Sequence, residues 1–391
     1  MTPAARVQTS IELLDAIVAS ARAKGAPADR ILADWFRSNR FAGSKDRRAI
    51  RDLVYRAIRT CGPVPATGRA AMLALAKDDP TLTGLFDGSR YGPATIGPDE
   101  NAAEAGVAPQ WLARRLTAAG LDKRGQAALL DRAPLDLRVN TLKASRDTLR
   151  LPMEAEPTPA PQGLRLPTGT PVEQWEAYRD GLIEVQDTGS QLACRAIRAT
   201  PGESVLDLCA GAGGKTLALA ASMEGRGRLI ATDTDRGRLS RLPPRAKRAG
   251  AQVETRLLDP GKEAEALADL QDALDAVLID APCSGTGTWR RNPEARWRID
   301  PPELARLVDL QASLIDLAVP LLKPGGRLVY VVCSLLDEEG AEGFADALAR
   351  HERLEARPVD LPLGRPRGNG VRLEPYRDDT DGFFIAHAAM V

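Results

Sequence analysis

The sequence predicts an α/β protein: a doubly wound, mostly parallel sheet in the second half, an all-α region ahead of it, and a small α/β lobe between them. Three observations predict it. Beyond Leu182, short apolar runs alternate with helical patterns. The stretch SVLDLCAGAGGKTLALAA, Ser204 to Ala221, reads as strand, glycine turn and helix, the opening unit of a nucleotide-binding sheet. The first 130 residues carry apolar side chains at helical spacing and no strand pattern. The implied domains are 1–130, 131–180 and 181–391.

In chain order, Ile11, Leu14, Ile17 and Val18 share one helical face, and Ile50, Leu53, Val54, Ala57 and Ile58 another. Pro27-Ala-Asp29 reads as a helix start. Between Asp29 and Thr60, Arg37, Arg40, Lys45, Arg47, Arg48 and Arg51 form a basic run, either a solvated face or a surface for RNA. Residues 88–98 are a loop, and Leu135 to Ala144 alternate as a strand. Strands follow at 183–185, 204–208, 228–231, 253–257, 276–279, 327–332 and 382–386. Helices fit between them at 191–199, 214–222, 236–249, 262–269, 302–321 and 337–350, the third of these kinked or split by Pro243-Pro244.

The glycine turn fails two phosphate-binding patterns. A P-loop needs glycine where Cys209 stands, and a dinucleotide fingerprint needs glycine where Thr216 stands. What remains, Cys209-Ala210-Gly211-Ala212-Gly213-Gly214-Lys215, suits a cofactor without phosphates, and S-adenosylmethionine is the obvious one. Asp233 ends the next strand where a ribose diol is gripped, while Asp235 suits a helix N-cap. Asp259 is placed for an adenine edge or serves as a turn residue before Pro260.

Two further strand ends carry cysteines: Asp280-Ala-Pro-Cys283 and Cys333-Ser334. If these strands are neighbours, both thiols face one cleft beside the cofactor. Such a pair suits methylation of cytosine at C5. That carbon is a poor nucleophile until a thiolate adds at C6 and pushes electron density onto it. A carboxyl group near base N3, for which Asp280 is placed, stabilises the adduct. Spacing alone does not say which cysteine attacks. Trp289 and Trp297 with Arg290, Arg291, Arg296 and Arg298 read either as a stacking surface for looped RNA or as a loop with structural tryptophans.

Composition bounds the rest. Zero formal net charge argues against indiscriminate coating of nucleic acid and leaves room for local basic patches. Five cysteines without a C-x-x-C pair, and only two histidines, make a zinc site unexpected. No apolar run approaches a membrane span, and Glu12 and Asp15 make the N-terminus a poor signal peptide. The expectation is a monomer in the reducing cytoplasm.

Taken together, LRVNTLKAS, VQDTGSQLA, DLCAGAGGKT, ATDTD, DAPCSGTGTWRRNPEARW, KPGGRLVYVVCS and DGFFIA follow the order of the Sun/RsmB family of RNA cytosine-C5 methyltransferases, which this chain resembles over most of its length. The resemblance implies a Rossmann-like class I methyltransferase domain preceded by an N-terminal NusB-like RNA-binding domain, the latter suggested by RFAGSKDR at 40–47. It implies that Cys333 is the nucleophile, Cys283 assists product release, and Cys209 to Lys215, Asp233, Asp259 and Asp280 hold the cofactor. Lys215 falls at the boundary between cofactor and base. Two positions depart from the family: Ala212 replaces a usual proline, and Val332 a usual threonine before the nucleophile. The implied substrate is ribosomal RNA. The same chemistry on tRNA, or an RNA-binding assembly factor with a degenerate methyltransferase domain, are the alternatives.

Overall fold

The computed structural model describes residues 1–391 and divides into two compact units. The first comprises Met1–Asp131 together with Thr288–Pro301. Its helices are α1 (Pro3–Arg22), α2 (Ala28–Ser38), α3 (Ser44–Thr60), α4 (Gly68–Asp78), α5 (Gln110–Ala118) and α6 (Lys123–Ala128). Thr2 caps α1, its side chain accepting from Ala5 N at 3.1 Å, and Pro3 occupies the first turn where a missing N–H costs nothing. The apolar face of α1 packs on α3 and α4, burying Ile11, Leu14, Ile17 and Val18 with Ile50, Val54, Ala57 and Ile58. Gly68 permits the close approach of α4, since a Cβ there would lie 2.2 Å from the Ile11 carbonyl oxygen. Residues 86–109 form no helix.

The second unit, Arg132–Gly287 with Pro302–Val391, holds two sheets. The smaller is antiparallel: β1 (Leu135–Val139), β2 (Glu156–Pro157), β3 (Gly163–Leu166) and β4 (Ile183–Val185), in the order β2-β3-β1-β4. Leu137 and Val139 face its apolar core with Leu164, Leu166 and Ile183. The predicted strand to Ala144 stops early because Asn140 turns the chain, its side-chain amide donating to the carbonyls of Gly181 and Ala249, each at 2.8 Å. The 183–185 strand, read from sequence as the start of the main alternation, instead pairs with β1.

The larger sheet contains β5 (Ser204–Asp207), β6 (Arg228–Asp233), β7 (Glu254–Leu257), β8 (Leu274–Asp280), β9 (Leu322–Val332), β10 (Leu354–Arg357), β11 (Arg365–Arg367), β12 (Gly370–Leu373) and β13 (Phe383–Met390). Its order is β11-β12-β13-β9-β8-β5-β6-β7, with β10 also on β13. The run β7-β6-β5-β8-β9 is parallel, and β13, β12, β11 and β10 are antiparallel additions. Helix α7 (Glu176–Arg179) packs on β4 in the smaller sheet's core. The other helices of this unit are α8 (Thr188–Ala196), α9 (Gly214–Ser222), α10 (Arg236–Leu239), α11 (Leu242–Ala249), α12 (Glu263–Ala266), α13 (Pro301–Ala318), α14 (Ala341–Arg350) and α15 (Pro375–Asp378). The helix predicted at 236–249 is split, with Pro243 placed in the first turn of α11, where proline is tolerated. The predicted 262–269 helix shrinks to α12 and a 3₁₀ turn. Strands β10 to β12 escaped the sequence reading because polar and proline residues interrupt their alternation. Apolar residues cover both faces of the parallel strands, with Leu206, Ile230, Val277 and Leu328 on one side and Val205, Leu229, Leu278 and Val329 on the other.

Candidate active site

Parallel pairing brings the carboxyl ends of β5, β6, β8 and β9 to one edge, where open α/β sheets bind ligands. After β5 the chain enters the glycine turn. Gly211 and Gly213 adopt left-handed φ of 56° and 83°, which residues with a Cβ rarely accept. A Cβ on Gly213 would strike the Leu242 side chain at 2.2 Å, whereas one on Gly214 would meet nothing within 4 Å, so open space lies beside the start of α9. The Ala212 carbonyl accepts from Arg245 at 2.6 Å, so the turn is tied down without the family's proline.

Asp233, 7% exposed, accepts from the backbone N–H of Gly211 and of Asp235, each at 2.7 Å. It therefore locks the tip of β6 to the glycine turn. Asp235 caps α10 through Arg238 N. Asp259 lies exposed just beyond β7. Asp207 is fully buried: its Oδ2 accepts from Thr216 at 2.6 Å, and its Oδ1 has no partner. Burial, with a smaller push from Asp280, raises its pKa to about 7. The carboxylates Asp233 and Asp280 beside a turn with open space suit a cationic ligand better than a phosphate. S-adenosylmethionine, with its sulfonium and ammonium charges, fits that donor set. Cys209 sits among the same carboxylates. Burial first, then Asp207, Asp280 and Asp233, raises its pKa well above the usual thiol value, so it stays protonated.

Strands β8 and β9 are hydrogen-bonded neighbours, with Asp280 opposite Val331. The loops after them carry Cys283 and Cys333, whose sulfurs lie 3.3 Å apart, in contact but unbonded. The contact with Cys333 and burial hold the Cys283 thiol well above its ordinary pKa. Lys215, from the first turn of α9, reaches Asp280 at 2.7 Å and lies 5.6 Å from the Phe383 ring centre. Burial works against the Lys215 charge, but Asp280 more than offsets it, and its pKa rises. The site thus combines the glycine turn, Asp233, Lys215, Asp280 and both cysteines.

Sequence reasoning missed the group that fixes the two cysteine loops. Glu339, fully buried, accepts from Ser284 N at 2.8 Å, from the Ser284 hydroxyl and from Gln311 Nε2 at 3.0 Å. Ser334 meets Ser284 at 3.2 Å and Thr286 at 3.1 Å. The only hint in the sequence is that a serine follows each cysteine. Gly287 and Gly382 complete the crossing: a Cβ on Gly287 would lie 2.1 Å from the Gly382 oxygen. Val332 is buried in the apolar cluster against which Cys283 packs, so an apolar side chain is accommodated at this position.

The 289–298 segment is structural. Trp289, Arg290, Arg296 and Trp297 are at most 5% exposed. Arg296 donates to the carbonyls of Ile58 at 2.6 Å and Cys61 at 2.7 Å, and Trp297 to that of Gly62 at 3.2 Å. These side chains hold the helical unit together, and buried rings offer no face for a base. In the basic run, Arg47 and Arg51 stack over the Phe36 ring at 5.7 Å and 5.5 Å.

The family described as 16S rRNA methyltransferase RsmB/F matches residues 195–389. The chain is 34% identical over 288 residues to ribosomal RNA small subunit methyltransferase B of Enterobacter sp. (strain 638), covering 71% of this chain and 65% of that one. It is 34% identical over 326 residues to the protein of the same name from Klebsiella pneumoniae subsp. pneumoniae, covering 80% and 74%. NSun6 from Pyrococcus horikoshii, solved with an S-adenosylmethionine analogue, shares the fold at a TM-score of 0.65, with 21% identity over 72% of this chain and 98% of that one. Strand order, glycine turn and sequence likeness agree: the chain belongs to the RsmB/F family of 16S rRNA methyltransferases.

Proposed function

We propose that this protein methylates C5 of a cytosine in ribosomal RNA, using S-adenosylmethionine and a covalent bond between Cys333 and base C6. The observation that carries this reading is the pair of thiols 3.3 Å apart beside the glycine turn. When bound by Cys209 to Lys215, Asp233, Asp259 and Asp280, S-adenosylmethionine supplies an electrophilic methyl group.

The other steps belong to the chain. The Cys333 thiolate adds to C6, making C5 nucleophilic. Asp280 faces N3, where negative charge develops, and the Lys215 ammonium paired with it supplies compensating charge. After transfer, a water molecule takes the C5 proton, the C–H electron pair re-forms the C5–C6 double bond, and the C6–S bond breaks, returning its electron pair to Cys333. Cys283, held protonated beside it, assists that release. The working form is a cytoplasmic monomer. No helix is long and apolar enough to cross a membrane.

The test is bisulfite sequencing of total RNA from a strain lacking the gene, then from one carrying Cys333→Ala. Loss of one ribosomal cytosine methyl in both supports the reading. Full methylation in the Cys333→Ala strain overturns the mechanism, and loss confined to tRNA overturns the substrate. Calorimetry that detects no binding of S-adenosylmethionine would favour a non-enzymatic assembly role.

A further inference from the structure

Asp136 and Arg138 occupy the face of β1 opposite Leu137 and Val139, which line the lobe's apolar core. Asp136 is engaged by Arg165 and Thr188. Arg138 is different. It is only 5% exposed, and its single hydrogen bond runs from Nε to Gln186 Oε1 at 2.7 Å. It makes no ion pair. The carboxylate whose charge reaches it, Glu184, is already held by Arg245 at 2.8 Å and by Arg248. A buried cation without its own counter-charge is costly, and the cost falls when a ligand brings the missing charge.

Arg138 borders a cavity of about 200 Å³, walled also by Thr141, Gln162, Arg195 and Ser222 and by no acidic residue. A second cavity, about 470 Å³, shares Arg195 and Ser222 and adds Arg198 and the single acid Asp360. Arg195 and Arg198 are exposed and make no ion pair. The two spaces together present arginines in excess of carboxylates, one of them buried and two at the rim. Guanidinium forks match phosphate geometry, which favours phosphate over a spherical anion.

We propose that this cavity is a phosphate-binding site, distinct from the cofactor turn. Its phosphate comes either from the backbone of the substrate RNA or from a free phosphomonoester. The first source rests on the RNA reading above; the second does not. Ser222 lies seven residues beyond Lys215 on α9, about 10 Å along the helix. A backbone phosphate here would anchor a nucleotide flanking the target base and fix the direction in which the strand enters.

The experiment uses the full chain at low ionic strength. Inorganic phosphate is titrated by calorimetry into wild type, Arg195→Gln and Arg138→Lys. RNA affinity is measured in parallel across a salt series, and methylation is measured at saturating RNA. Wild type should bind phosphate, and Arg195→Gln should weaken it roughly tenfold, the loss expected for one charged hydrogen bond. Arg138→Lys keeps the charge but not the fork, and should weaken phosphate binding while melting cooperatively. If RNA displaces phosphate and Arg195→Gln lowers the slope of log K against log salt by about one, the source is the RNA backbone. If phosphate binds, RNA does not displace it and the slope is unchanged, the source is a phosphomonoester. No phosphate binding by folded wild type, or equal binding by Arg195→Gln, overturns the proposal. Phosphate binding is read without RNA or S-adenosylmethionine, so failure here is distinguishable from failure of the methyltransferase reading, which the Cys333→Ala strain tests.

Discussion

Cys283 and Cys333 touch, yet their surroundings differ. Burial and the shared contact keep Cys283 protonated. Cys333→Ala should therefore abolish methyl transfer, whereas Cys283→Ala should let an RNA–protein adduct accumulate on denaturing gels. An adduct that formed in Cys333→Ala would reverse the assignment. Asp207 offers a test of a different kind. Its pKa rises on folding from the ordinary carboxylate value to about 7, chiefly through burial. The folded state holds a proton that the unfolded chain has released, so stability contributed below pH 4 is lost as pH rises toward 7. The loss is on the order of 4 kcal/mol. Asp207→Asn, which can keep the Thr216 contact, should flatten the fall in melting temperature between pH 5 and pH 8. An unchanged slope would mean that another group carries it. The cysteines were legible because each follows a strand in a recognisable motif. The burial of Asp207 was not, since it depends on which strands flank β5.

Between residue and domain, the cysteine loops form one element. Glu339 at the far end of the β9 loop holds the β8 loop through Ser284, while Gln311 of α13 bridges Glu339 and the Pro282 carbonyl. Replacing Glu339 by Ala leaves several buried donors unpaired and should cost about 3 kcal/mol or more. Urea unfolding would measure it. Glu339→Gln, which removes the charge but can keep part of the bonding, should recover much of the loss. A neutral Glu339→Ala would show that the loops are held by packing alone. Secondary structure at this level was partly legible. Helices with a strong apolar stripe, such as α1 and α3, were read correctly down to their buried residues. Short strands such as β10 to β12 were not, because three or four residues carry too little periodicity to distinguish helix from strand, and the helix over 262–269 was legible in type but not in length.

For the whole molecule, the segment Thr288–Pro301 lies between β8 and α13 in sequence but belongs to the helical unit. Trp297 joins the apolar core of α1 to α4, and Arg296 gives its donors to the carbonyls at the end of α3, its pKa drawn down to about 9 by burial. Trp297→Ala should destabilise that unit by roughly 3–5 kcal/mol. Hydrogen exchange should then rise across α1 to α4, while S-adenosylmethionine still binds. Unchanged protection in those helices would show that the segment only decorates the surface.

The sequence alone determined the fold class, the glycine turn, the cysteine pair and the order of the motifs. Each depends on local pattern: period, turn chemistry, and residues a few positions apart. Tertiary structure decided what local pattern cannot hold. It set β8 beside β9, so that two thiols fifty positions apart meet at 3.3 Å. It turned the Trp289–Arg298 loop inward, because its side chains find carbonyls and apolar partners far away in the chain. It left Arg138 buried without a counter-charge, a fact visible only once the neighbours on every side are known.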